Sequence, residues 1–343
     1  PVLTTLRHFR HEYEEHLRAK RCRAGICEQM LLSPCENSCP LHMRIPWFLQ
    51  LLKEGRLEDA AELVWLDNPL PASTGRICQH PCEGQCRRAT VDEAINMREV
   101  HRYIADVVLE GDLLASIQAR LRARRKPATG RCVAVVGSGP SGLAAAFYLA
   151  LLGHGVTVYE SREEPGGMLR YALPEYRLPK AVLSKEIAAL EHLGIQFEYG
   201  RTLGENLALD SLVAENDAVF LAIGTWKEHA AGITGEDAPG VWHAIRFLEQ
   251  VVRARPPDMG GRVVVVGGGN AAIDSARTCL RLGCEVQIVY RRARADMPAI
   301  SEEVDDAVRE DAHLQFFHTP LRVVRDADGR VTGLECLRTK PGD

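Results

Sequence analysis

Seven cysteines fall within the first 86 residues: Cys22, Cys27, Cys35 and Cys39, then Cys78, Cys82 and Cys86. Thiolates are soft ligands, and a group of this density suits iron–sulfur clusters or zinc. The ending Cys35-x3-Cys39-Pro40 matches the close of the bacterial ferredoxin run, in which the last cysteine ligates a second cluster. The spacings before Cys35, of four and seven residues rather than two, depart from that run. Two four-iron clusters need about eight ligands, so seven cysteines leave one position to another residue type. The rival assignment is zinc held as a structural staple.

About fifty residues after Cys86 comes Gly137-Ser138-Gly139-Pro140-Ser141-Gly142. It follows the apolar strand Val133–Val136 and precedes a helix over Leu143–Leu152 and a strand over Val156–Tyr159. In such a unit Gly137 makes the tight turn, Gly139 lets a pyrophosphate approach, and Gly142 lets helix and strand pack. Glu160, 23 residues after Gly137, stands where a carboxylate accepts hydrogen bonds from a ribose, which fits the adenosine of FAD or NAD.

A second unit repeats the design. Val263–Val266 leads into Gly267-Gly268-Gly269-Asn270-Ala271-Ala272, a helix to Leu282 and a strand over Glu285–Tyr290. Gly267, Gly269 and Ala272 hold the fingerprint positions, with Asn270 inside the turn. The second strand ends on Arg291 and Arg292 with Arg294 close by, where guanidinium groups match a 2′-phosphate and no carboxylate repels one. That favours NADP over NAD; a solvated basic turn is the plainer reading. No catalytic acid, base or nucleophile is required, because nicotinamide and flavin carry hydride chemistry themselves. Cys132, Cys279, Cys284 and Cys336 form no Cys-x-x-Cys dithiol beside either unit.

The elements that position these residues follow from the hydrophobic periods. Residues 1–127 read as helical, with amphipathic stretches over Leu3–Leu17, Ile45–Leu66 and Asp92–Arg124 and the cysteines in the connections. Residues 131–228 and 229–343 read as two doubly wound α/β nucleotide-binding units of Rossmann type. A net charge of −4 over 343 residues gives no field to gather nucleic acid or anionic lipid. The basic run Arg120–Lys126 reads as a solvated helix end leading into a linker. No membrane span and no secretory core are present in the sequence, and eleven cysteines read as ligands and buried thiols, so a cytoplasmic location is expected. The chain does not open on Met and reads as a processed or partial product.

Four stretches resemble the iron–sulfur flavoprotein small subunit of NADPH-dependent glutamate synthase. The same stretches resemble the N-terminal part of dihydropyrimidine dehydrogenase and the large subunit of bifurcating ferredoxin:NADP oxidoreductase. They are Pro34–Pro40, Gly75–Cys78, Pro165–Lys180 with its Gly167-Met168-Leu169-Arg170 core, and Val289–Arg292. The resemblance implies FAD at the first unit, with Gly167, Met168, Arg177 and Gly224 beside it, and NADPH at the second. It implies interleaved [4Fe-4S] clusters, one on Cys22, Cys27, Cys35 and Cys86 and the other on Cys39, Cys78 and Cys82. The remaining ligand in relatives is a Gln or Glu on the helix after the last cysteine; counting places His101 there, with Glu99 as rival. Relatives return to the flavin domain after the NADPH domain, whereas this sequence closes at Asp343 before any such segment, so a longer parent chain is expected.

The expectation is an oxidoreductase subunit moving electrons between NADP(H), FAD and two [4Fe-4S] clusters, to or from a partner redox subunit or ferredoxin. Glutamate synthase is one setting and a bifurcating complex another, with the wider cysteine spacing and the histidine pointing to the second. The alternative is a zinc-stapled, catalytically silent assembly module.

Overall fold

The computed structural model of the chain describes residues 32–340 together with Arg7, Arg10, His11 and Glu14. Cys22, Cys27 and most of the expected Leu3–Leu17 helix lie outside the described residues.

Helix α1 (Pro34–Ser38) opens on a capping box between Ser33 and Glu36 and carries Cys35, with Cys39 as its C-cap. The stretch expected as one helix over Ile45–Leu66 is two, α2 (Ile45–Lys53) and α3 (Leu57–Asp67). The break falls at Gly55, whose φ of +74° is a turn that glycine makes without strain. Helix α4 (Pro71–Ile77) starts on a proline, whose missing N–H costs nothing there, and ends at Cys78. Two short 3₁₀ turns, Glu83–Gln85 and Arg87–Thr90, follow with Cys82 and Cys86 as their N-caps. The expected helix over Asp92–Arg124 likewise divides, into α5 (Met97–Glu110) and α6 (Leu114–Arg124), with Gly111 as the C-cap of α5. The basic run does end α6, yet Arg120 pairs with Glu58, Asp59 and Glu62 of α3, and Arg124 with Glu62.

The first α/β unit comprises β1 (Cys132–Val136), α7 (Pro140–Leu151), β2 (Gly155–Tyr159), α8 (Met168–Tyr171), α9 (Lys180–Glu191), β3 (Gln196–Glu198), α10 (Leu209–Glu215) and β4 (Ala218–Leu221). Its strands are all parallel in the order β3-β2-β1-β4, so β1 lies inside the sheet and its four valine and alanine side chains are buried. The second unit comprises α11 (Ala244–Val252), β5 (Arg262–Val266), α12 (Asn270–Arg281), β6 (Glu285–Tyr290), α13 (Ser301–Arg309) and β7 (His313–Phe316), with parallel order β5-β6-β7. An antiparallel hairpin, β8 (His318–Arg325) and β9 (Val331–Arg338), closes the described chain. Its turn is built by Asp326, whose Oδ1 accepts from Asp328 N and Arg330 N.

The apolar residues form two large cores. One runs without interruption from Met43, Phe48, Trp65 and Ile104 of the helical region into Val135, Leu143, Phe147 and Leu183 of the first unit. The second unit has its own, built on Phe247, Ile273, Val286, Ile288 and Val304. Helical region and first unit are therefore one packed body, and the second unit docks on it through polar contacts described below. Among the described residues no helix is long and apolar enough to cross a membrane.

Candidate functional site

At the first fingerprint the backbone leaves no room for side chains where the spacing demands glycine. Gly137 has φ +104°, and a Cβ there would run into the Ala222 carbonyl; one on Gly142 would run into the Gly137 carbonyl. Gly139, by contrast, would place an added methyl with nothing within 4 Å, so its face stays open to a close-approaching ligand. No side chain caps α7 at Gly139, so its first-turn amides have no side-chain acceptor. The Gly166-Gly167 loop is buried over the fingerprint: Gly166 N donates to Ser138 O at 3.0 Å, and a Cβ on Gly167 would lie 2.7 Å from Gly139 Cα. Met168 follows directly as the first residue of α8. Gly224, with φ +71°, is exposed in the segment after β4.

Glu160 is buried at the end of β2, as a ribose-binding carboxylate would be. Its Oε2 accepts from the Ser138 amide at 2.9 Å and from the Ser138 hydroxyl, and its Oε1 from Arg162 N at 2.9 Å and the Ser161 hydroxyl at 3.1 Å. Those donors fill about four lone-pair sites, so a ribose hydroxyl reaches Glu160 in exchange for one of the two serines. Sequence reasoning did not anticipate Ser138, although its position inside the fingerprint was the signal.

The second fingerprint is similar but looser. Gly267 has φ +128°, Gly268 lies under the Tyr290 ring, and Gly269 is open. Ala272 is buried beneath the turn. Asn270 does not point into open space: its Oδ1 accepts from Ile300 N at 3.0 Å and pins the segment that leads into α13. Arg291 and Arg292 are exposed beyond β6 and make no ion pair among the described residues, whereas Arg294 pairs with Asp305.

Arg177, expected beside the flavin, pairs across to the second unit. Its Nη1 lies 3.0 Å from both carboxylate oxygens of Asp274 in α12, and its Nε lies 3.3 Å from Glu303. The pair is buried, and it ties the Pro165–Lys180 stretch to the helix of the second fingerprint. Tyr176 reinforces the tie through its hydroxyl to Asp274 O at 3.3 Å. Farther along the seam, Arg162 lies 4.5 Å over the Tyr171 ring and 4.2 Å over the Trp226 ring and pairs with Glu249 of α11.

Helix α1 packs against the Glu83–Gln85 turn, which brings Cys39 near Cys78 and Cys82. Burial pushes the Cys82 thiol up to about 12, and the fields of Cys39 and Cys78 push the same way. Cys78 is also raised, by burial first and by Cys39 among lesser causes, against a hydrogen bond from His80 N to its sulfur at 3.2 Å. Cys39, Cys78 and Cys82 are thus mutual neighbours, and holding the buried Cys78 and Cys82 as thiolates calls for cationic charge of the kind an iron–sulfur cluster would supply. Cys35 lies beside the Ser33 hydroxyl at 3.0 Å, and Cys86 is partly buried on the same core. All described cysteines are free thiols, and no three described His, Cys, Asp or Glu side chains converge on a single-ion position.

His101 is buried on α5. Its Nδ1 lies 3.2 Å from Met97 O and so carries the proton, while burial holds the ring neutral, with a pKa lowered to about 4. Nε2 is then an unprotonated lone pair, buried without a hydrogen-bond partner, facing α4 beside Gly75. An orphaned imidazole nitrogen next to the helix that ends in Cys78 fits a metal ligand. The rival Glu99 is half-exposed and engaged with Arg98 and Arg102.

The described chain is two nucleotide units in series, the first sharing its core with a thiolate-rich helical region. Residues 131–328 match the pyridine nucleotide-disulphide oxidoreductase family, and residues 4–113 match dihydropyrimidine dehydrogenase domain II, 4Fe-4S cluster. The chain is 37% identical to the NADPH-Fe(3+) oxidoreductase subunit beta of Geobacter sulfurreducens, over 100% of this chain and 51% of that one. It is 35% identical to the glutamate synthase [NADPH] small chain of Escherichia coli, over 90% of this chain and 67% of that one. The fold is similar to that of Mycobacterium tuberculosis FprA in complex with NADPH, with a TM-score of 0.52 at 21% identity over 64% of this chain and 68% of that one. The chain belongs to the pyridine nucleotide-disulphide oxidoreductase family, among the iron–sulfur flavoproteins related to the glutamate synthase small chain. It spans about half the length of the first curated relatives it matches.

Proposed function

We propose that the chain moves electrons between NADP(H), FAD and two [4Fe-4S] clusters, delivering them to or taking them from a partner redox subunit. The observation that carries this reading is the uninterrupted core that joins the cysteine region to the first nucleotide unit, with the second unit held on it by the buried Arg177–Asp274 pair. Such a layout fixes an electron path while leaving the nicotinamide unit a separate body. Gly137, Gly139, Gly142, Glu160, Gly167 and Met168 would hold FAD; Gly267, Gly269, Ala272, Arg291 and Arg292 would hold NADP(H). Cys22, Cys27, Cys35 and Cys86 would hold one cluster, and Cys39, Cys78, Cys82 and His101 the other.

When bound, these groups supply hydride transfer and its division into single electrons. The chain's own part is placement. Gly139 and Gly269 leave their faces bare for phosphates, the uncapped helices α7 and α12 turn their amides toward them, and Arg291 and Arg292 stand free for a third phosphate. Arg177, Tyr176 and Arg162 fix how the two units face each other. The partner is a redox subunit of the kind found in glutamate synthase or a bifurcating complex, and free thiols throughout the described chain suit the reducing cytoplasm.

The nucleotide assignment is tested by Arg291→Ala/Arg292→Ala. The double variant is expected to weaken NADPH binding by about tenfold or more while leaving NADH binding within about twofold, because only NADPH carries the 2′-phosphate. Equal binding of NADPH by variant and wild type would contradict it.

A further inference from the structure

Glu186 lies in α9 of the first nucleotide unit, and it is completely buried. Its Oε1 accepts from Ala72 N at 2.5 Å, and its Oε2 from Ser73 N at 2.8 Å and from the Ser73 hydroxyl. All three donors belong to the first turn of α4, more than a hundred residues away in the chain. Burial pushes the Glu186 carboxyl up to about 7, opposed by these hydrogen bonds and by the Arg76 guanidinium. A buried carboxyl of this kind is costly unless its partners are fixed, and here they are.

Helix α4 is held along its whole length. Asn68 donates to Thr74 Oγ1 at 2.7 Å, and Arg76 pairs with both oxygens of Asp106 in α5 at 2.8 and 3.0 Å. Gly75 lets the helix backbone lie against Arg102 and the orphaned Nε2 of His101. At the far end Cys78 N donates to Thr74 O at 2.8 Å. Seven residues make a rod about 10 Å long, with Glu186 at one end and Cys78 at the other.

We propose that Glu186 is a positioning residue for electron transfer: by clamping the start of α4 to the first nucleotide unit, it sets where Cys78 presents its sulfur relative to that unit. Nothing in the motifs assigns Glu186 a role, and its side chain touches neither a fingerprint nor a cysteine. The proposal rests on the functional reading above, since it presumes a cluster at Cys39, Cys78 and Cys82.

The test compares anaerobic holoprotein of wild type, Glu186→Ala and the shape-conserving Glu186→Gln. Bleaching of the flavin by NADPH reports the docking of the second unit, which Glu186 does not touch. Appearance of the reduced-cluster EPR signal reports the α4 end. Glu186→Ala is expected to bleach within about twofold of wild type but to slow cluster reduction about tenfold or more, with an altered signal from one cluster only. Glu186→Gln keeps the acceptor for Ala72 N and is expected to fall between the two; it also stands in if the alanine variant does not fold. Hydrogen exchange over residues 71–78, read without reference to activity, is expected to quicken in the same order. Wild-type cluster signal and reduction rate in both variants would overturn the proposal and leave the functional reading standing. A wild-type protein without any cluster signal would overturn both.

Discussion

Cys82→Ala is expected to lose one cluster and keep the other, so that iron falls from about eight to about four per chain with sulfide falling in step. Cys82 is the most buried of the described N-terminal cysteines, and its sulfur shares a field with Cys39 and Cys78. Removing it takes away one of the four proposed ligands, and the Cys78 thiol that burial keeps protonated loses a neighbour that would share the metal charge. Because ligand binding and folding of such a region are linked, the variant should also be less stable than wild type by several kcal/mol. Cys35 sits on α1, outside the Glu83–Gln85 turn that Cys82 opens and Cys86 closes, and it belongs to the other proposed ligand set. His101→Ala should remove the same cluster and no other. Full iron in either variant, measured with acid-labile sulfide on anaerobic protein, would contradict the ligand assignment.

Gly142→Ala is expected to have the largest effect at the flavin end. Its added methyl would occupy the space of the Gly137 carbonyl and lie 3.3 Å from the Ala222 side chain. Both neighbours are held by β1 and by the segment after β4, and a backbone carbonyl cannot swing aside as a flexible side chain can. Overpacking of this kind costs about 3 kcal/mol or more, and the turn that must receive the phosphates is what gives way. The purified variant should therefore be colourless and melt earlier. Gly139→Ala is the informative contrast: its methyl meets nothing within 4 Å, so the fold should hold while flavin affinity drops, because the bare face is what the ligand approaches. Flavin content and thermal melting of the two variants check the pair. A yellow, stable Gly142→Ala protein would contradict this account of the fingerprint.

These two sites were legible in the sequence for different reasons. Glycine positions are dictated locally: strand, tight turn and helix lie within a dozen residues, and Gly137 and Gly267 turn up with positive φ while Gly142 leaves no room for a Cβ. Helix ends were less legible. Gly55 and Gly111 each split a stretch whose apolar period continues on both sides, and a period does not show that the chain has turned. The β8–β9 hairpin carried a readable signal in Asp326-Ala327-Asp328-Gly329 that the helix-and-strand pattern alone did not bring out. What the sequence could not show is the seam. Arg177 and Asp274 stand 97 residues apart, and Glu186 and Ser73 stand 113 apart; a lone charged residue has no period and no motif until the fold supplies its partner. Counting along the helix already put His101 ahead of Glu99; the fold adds that the His101 nitrogen is buried and orphaned while Glu99 is half-exposed and ion-paired.

The most direct test of the central claim is the content of iron, zinc, acid-labile sulfide and FAD per chain in anaerobically purified holoprotein. About eight iron with matching sulfide and one FAD is the result expected for two four-iron clusters coupled to a flavin. Zinc without sulfide would contradict it, because a zinc-stapled cysteine region has no path by which electrons could leave the nucleotide units.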